Sequence, residues 1–358
     1  MSQAQMSLTP RSSARTWLRI LAAVIAFAVV AYIGVAFVWN FSAAEAARSW
    51  ALLTAVALVV AFVVYGGLEY LQTGGLASIS RQFDTRTIVL MPIAIALNII
   101  LGQAVGAALK IPIYLDSIGT ILVGALAGPI PGALTGALAN LLWTYVVPPP
   151  FHSDISGAFA IVAAVIGLLA GLFGRFGWFR PRANSSGVQL VIGGVVALGI
   201  VVAMVYYAYT RFYVANGLVL FNPDNTDPLF VGLGWLIVVL AVVAAVGFVA
   251  MLFMRRDLTV AFVVVAGVFT GIICALISAP ISANLFSGVT GAGTDFLVAA
   301  FRQAGSDVST ATFQQGLLSD PVDKLVTFLT VYLILAAMAR RTKARFPQGE
   351  KLVQGTGV

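Results

Sequence analysis

The sequence predicts an all-α polytopic membrane protein of about ten transmembrane helices, and three observations carry that prediction. Of 358 residues, 60% are hydrophobic and only 9% charged, whereas a soluble domain carries about 25% charge. Mean hydropathy is +1.01. The basic residues divide between the two faces of the predicted bundle in the way membrane topology demands.

The elements follow in chain order. Residues 1–15 form a polar, basic tail. The first apolar run, 17–39, is too long for a signal-peptide core and lacks a clear small-residue cleavage site, so it reads as a retained span. A second span covers 50–71, and a loop with Arg81, Asp84 and Arg86 leads to a third at 88–109. Residues 116–147 then read as two short segments rather than one long span. Asp116 and Ser117 supply an N-cap pair. Gly128-Pro129-Ile130-Pro131-Gly132 breaks the first segment, and Pro148-Pro149-Pro150 ends the second. Each is shorter than the ~20 residues of an ordinary span, so both are expected under the cover of other helices. Further spans are expected at 157–173, 188–210, 229–254, 258–283 and 325–339. The long stretch 284–322 reads as a structured lid or ligand loop.

The net charge of +7 is better explained by membrane topology than by nucleic acid. With both termini in the cytoplasm of a cell whose inner (plasma) membrane the chain crosses, fifteen basic residues face inward. Five remain outside: Arg48, Lys110, Arg211, Arg302 and Lys324. That positive-inside pattern holds only if 116–147 crosses twice.

Polarity gathers on the predicted outer side, and the candidate ligand residues are there. Asp116 is a helix cap that can also line a cavity. Asn140 and Trp143 lie three apart, on one helix face, and a buried Asn needs partners. Tyr145 follows at the same helix end. His152, the chain's single histidine, sits two residues from Asp154 and can bond or titrate. Asn284 and Asp295 lie in the long loop. Asp320, Asp323 and Lys324 read as a charge-paired helix start, with Lys324 placed to take an anionic group. Cys274 reads as a small core residue that has no disulfide partner. Small residues recur at four-residue spacing in Gly124/Gly128, Gly132/Gly136, Ala133/Ala137, Ala104/Ala108 and Gly267/Gly271, faces that let helices approach closely. No metal-ligand spacing, cofactor fingerprint, paired catalytic carboxylates or nucleophile constellation is present, so an enzyme is not expected. No GxxxxGK[ST] run is present either, so active transport would need a partner or an ion gradient.

The run IPIYLDSIGTILVGALAGPIPGALTGALANLLW resembles the first half of the substrate-binding S components of energy-coupling factor (ECF) transporters. GIICALISAPISANLFSGVTGAGTDFLVAAF followed by GLLSDPVDKLVTFLTVYLIL resembles a second half. The likeness covers about 88–182 and 258–340, and LDSIGT, GVTGAGTD and SDPVDK are its most distinctive parts. S components usually have six spans. Here residues 1–87 add a tail and two spans, 183–257 insert a transmembrane hairpin, and 341–358 form a basic cytoplasmic tail. Helices are added in pairs, so the orientation of the core is kept.

The resemblance implies a binding subunit that captures a vitamin or similar small micronutrient at the outer face. It implies a T-type transmembrane subunit and ABC-type ATPases as partners, with the S component toppling in the lipid bilayer as they hydrolyse ATP. In the family an AxxxA pattern on the first helix docks the partner. The match here, Ala104/Ala108, falls near the predicted outer end. Two other readings stay open. One is a sensory or regulatory membrane domain working with a separate signalling protein. The other is a stand-alone secondary carrier, against which stands the near absence of charge in the predicted spans.

Overall fold

The computed structural model describes residues 11–38, 46–109, 113–182, 185–209 and 256–353, with scattered positions between 239 and 254. The described residues are helical with no strand, and six helices are long and apolar enough to cross a membrane. The expected span at 229–254, and with it much of the inserted hairpin, lies largely outside the described residues, as do Lys110 and Arg211. The chain divides into two compact units, Met1–Arg81 and Gln82–Val358.

The first unit is a helical hairpin. Helix α1 (Arg11–Ile33) runs on into a π-helical turn, Gly34–Val38, and α2 (Ala46–Thr73) packs beside it. Gly34 makes the close approach possible, because a Cβ there would overlap the Leu53 side chain. The short α3 (Ala77–Ser80) closes the unit.

The second unit opens with α4 (Thr85–Gly102), capped by the Asp84 carboxylate, which accepts the Thr87 N–H at 2.7 Å. A π-helical segment, Gln103–Ala108, extends it. Then come α5 (Ile118–Ala127) and α6 (Pro129–Tyr145). The break between them is narrower than the five-residue motif suggested. Gly128 alone turns the chain, at φ 132, and Pro129 starts α6, where its missing N–H costs nothing. At ~1.5 Å per residue α5 is only about 15 Å long, half a bilayer core. Its N-terminus therefore starts well inside the bundle. Asn98 of α4 fixes that start, donating to Thr120 Oγ1 and accepting the Gly119 N–H, both at 2.8 Å.

Glycine decides how tightly these helices pack. A Cβ on Gly124 would sit 2.7 Å from the Gly167 carbonyl oxygen, and one on Gly132 would sit 2.7 Å from Gly124 Cα. So α5, α6 and α7 (Ala160–Arg175) meet backbone to backbone. The four-residue pairs Gly124/Gly128 and Gly132/Gly136 are thus internal packing faces. After α8 (Gly187–Tyr209), α9 (Thr259–Phe286) pairs antiparallel with the long α11 (Val308–Ala337). Gly267 and Gly271 lie against Leu325 and Pro321.

The stretch 284–322 is mostly helical, with a turn at 287–294. It holds α10 (Asp295–Gln303) and the first half of α11, whose start is capped by Asp307 accepting the Thr310 N–H at 2.7 Å. Asp320, Asp323 and Lys324 therefore lie in the middle of a 30-residue helix rather than at a helix start. Hydropathy misses this helix because its polar residues face inward. Residues 340–352 fold as two short helices, α12 (Arg340–Ala344) and α13 (Gly349–Leu352). Gln348 between them donates from its N–H to the Leu126 carbonyl at 2.9 Å, so this part of the expected basic tail is docked on the bundle.

Candidate binding site

The α11 residues Gln315, Ser319, Asp323 and Thr327 repeat every four positions and are all buried, so one stripe of the helix is polar and inward-facing. Asp323 is its hub. Its Oδ1 accepts the N–H groups of Tyr114 and Leu115 at 3.0 and 2.8 Å, and its Oδ2 accepts from the Lys324 ammonium. These bonds hold the segment 113–117, including Leu115 at the unusual φ of 52, against the middle of α11. Lys324 also donates to Ser117 Oγ at 3.0 Å and stands 3.9 Å from Asp116 Oδ1. Ser117 thus receives a lysine and does not show the expected side-chain cap on α5.

Beside this cluster opens a cavity of about 360 Å³, within the size range of small-molecule sites. Its floor and walls come from α4, the segment 113–117, α6, the Pro-rich loop, α7, α9, the turn before α10, and α11. Trp143 forms one wall. Its indole N–H donates to the Phe151 carbonyl at 2.7 Å, and its ring fits because Gly102 has no side chain. A Cβ there would lie 2.6 Å from Trp143 Cη2 and 3.0 Å from Asp116 Cβ. Tyr114 lines another wall, with its hydroxyl bonded to Thr294 Oγ1 at 2.7 Å. Asp320 also faces the cavity, and its carboxylate accepts long, 3.2 Å bonds from Ser278 and Ser319.

Of the residues expected at a site, Asp116, Asn140, Trp143, His152 and Lys324 line this one cavity. Asn140 is 8% exposed, and its side-chain amide, with no hydrogen bond to another described residue, is open to the cavity. Asp295 acts one step back. Its carboxylate gathers the Thr290 and Gly291 N–H groups at 2.9 and 2.6 Å, and those two residues line the cavity. Tyr145 is 38% exposed and Asn284 bonds back to its own helix at the Pro280 carbonyl, so neither reaches the cavity. Lys324 is 4% exposed and already directed at Asp323 and Ser117, which leaves it poorly placed to receive an anion. Ala104 and Ala108 are exposed on the π-helical segment. Cys274 is free and lines the cavity.

At the rim His152 Nε2 donates to Asp154 Oδ1 at 2.8 Å and Nδ1 donates to the Val147 carbonyl at 3.0 Å. The Asp154 bond first, and the carbonyl second, raise the imidazole above its usual range. Tyr114, Ser278, the contact of Ser117 with Lys324 and the true role of Asp323 are not evident in the sequence. The four-residue spacing of Gln315, Ser319, Asp323 and Thr327 was the signal that could have found the polar stripe. No group of three or more His, Cys, Asp or Glu residues among the described residues could hold a metal ion. No protein-family model, curated protein or solved structure matches the chain.

Proposed function

We propose that this chain is the membrane-embedded binding subunit of an importer, taking a small organic molecule into the cavity between α4, α6, α7, α9 and α11. The observation that supports the reading best is Asn140. Its amide, unbonded to any described residue and open to the cavity, faces a space also lined by Tyr114, Trp143 and Phe159 and by the carboxylates of Asp116, Asp154 and Asp320. An amide in that position is available both to donate to and to accept from a ligand. The segment 113–117, the Pro-rich loop and the turn held by Asp295 form the lid. Energy comes from partners, a T-type membrane subunit and ABC-type ATPases, as the resemblance to ECF S components implies.

One observation favours a second reading, a secondary carrier. Asp320, Asp323 and Lys324 lie buried inside a helix, and ionisable groups at such depth often carry coupling ions. Gentle affinity purification from native membranes, followed by mass spectrometry, separates the two. Recovery of a T-type subunit with ABC ATPases supports the importer. Recovery of the intact chain alone moves the reading to the carrier, and recovery of a kinase moves it to signalling.

A further inference from the structure

Resting on the reading of the cavity as a ligand site, we propose that the ligand is a small, flat organic cation. Asp116 and Asp320 would serve as its counter-ions, Trp143 as its stacking wall and Asn140 as the reader of its polar edge.

The charge around the cavity does not balance. Four carboxylates, Asp116, Asp154, Asp320 and Asp323, face or adjoin it, against two bases, Lys324 and His152. The bases are committed. Lys324 is paired with Asp323, and His152 with Asp154 at 2.8 Å. That leaves Asp320, which among the described residues accepts only from two hydroxyls. It also leaves Asp116, 3.9 Å from an ammonium already engaged elsewhere. Asp320 is 6% exposed, and a buried carboxylate without a cation in contact is disfavoured; a positively charged ligand relieves that on binding. An anionic ligand would meet Asp320 with no cation in contact, Asp116 only loosely paired with Lys324, and a lysine already engaged by Asp323 and Ser117.

The remaining lining narrows the class further. Tyr114, Trp143 and Phe159 are aromatic, and aromatic faces attract cations as well as flat rings. The free Asn140 amide both donates and accepts, which suits a ring nitrogen beside an amino or hydroxyl group. The volume admits a molecule of one or two rings rather than a macrocycle.

The test uses the full-length protein in nanodiscs, equilibrated by dialysis with a small-molecule extract of the cells that express it. Compounds enriched on the protein are identified by mass spectrometry. The wild type is compared with Asn140→Ala and with the Asp116→Asn, Asp320→Asn double variant, each first checked for a wild-type unfolding profile. Enrichment of an aromatic compound cationic at pH 7, reduced at least tenfold in both variants, is the expected result. Enrichment of a neutral or anionic compound that depends on Asn140 overturns the cation while leaving the binding cavity standing. No enrichment that depends on Asn140 overturns the binding reading and the cation with it. The identity of the enriched compound decides the charge question even if the double variant fails to fold.

Discussion

Two buried ionic clusters, one in each unit, solve the same problem in opposite ways. In the hairpin of the first unit Arg19 stands 3.7 Å from Glu69, and its Nε donates to Gln72 at 2.7 Å. The Glu69 carboxylate also accepts the Ser78 N–H and hydroxyl, both at 2.6 Å. One cation faces one anion, and both oxygens are used. In the second unit one lysine faces Asp116 and Asp323, with Asp320 a helix turn away, and a cavity opens beside them. A balanced, saturated pair ties α1, α2 and α3 together; an acidic excess next to empty space is suited to meeting something charged. Breaking each cluster should show the contrast. Asp323→Ala strips the Lys324 ammonium of its partner and frees the Tyr114 and Leu115 N–H groups. The expected cost is about 3–5 kcal/mol, read as denaturant unfolding in micelles. A loss below about 1 kcal/mol would remove Asp323 from its place as the hub.

The matching change in the hairpin is Arg19→Met with Glu69→Gln. The glutamine keeps an acceptor for Ser78 and both charges leave together, so the cost should stay within about 1 kcal/mol. A penalty as large as that of Asp323→Ala would erase the distinction between the clusters. Asn140→Leu sharpens it from the other side. Replacing an amide that bonds no described residue by an apolar group of similar size should leave stability within about 1 kcal/mol, while ligand capture falls at least tenfold. Loss of stability together with unchanged capture would make Asn140 a structural residue.

The sequence shows the hairpin and much of the core plainly, because long apolar runs and proline breaks depend on local chemistry. It also shows Asp116, Asn140, Trp143 and His152 as neighbours, since all lie at the ends of segments whose direction the breaks define. It hides α11. Thr310, Gln314, Gln315, Ser319, Asp320 and Asp323 lower the hydropathy of that stretch to that of a loop. Yet Gln315, Ser319, Asp320 and Asp323 are buried against the rest of the bundle, and their solvent is protein. Asp320 and Lys324 were visible as charges beside Asp323, but their further partners come from residues about 40 and 200 positions away, Ser278 and Ser117. No local pattern encodes such pairs. Tyr145 was expected at the cavity from its position at the helix end, but its direction around α6 turns it outward.

The smallest expected effect concerns the rim. His152 points both ring nitrogens at acceptors, the Asp154 carboxylate and the Val147 carbonyl, and only the doubly protonated imidazolium can donate to both. Its folded-state affinity for a proton is raised by these contacts. The contribution to loop order is therefore complete below the unfolded value of about 6.5 and is lost as pH rises through the raised folded value. The Pro-rich loop should be tightest at mildly acid pH and loosen on the alkaline side. Trp143 reports this directly, because its indole is bonded to Phe151, the residue next to His152. With the other five tryptophans replaced by phenylalanine, emission and amide exchange across 148–156 should change with pH in the parent and stay flat in His152→Gln. An equal change in both proteins would assign the pH response to another group, and no change in either would mean that the His152–Asp154 bond does not order the rim.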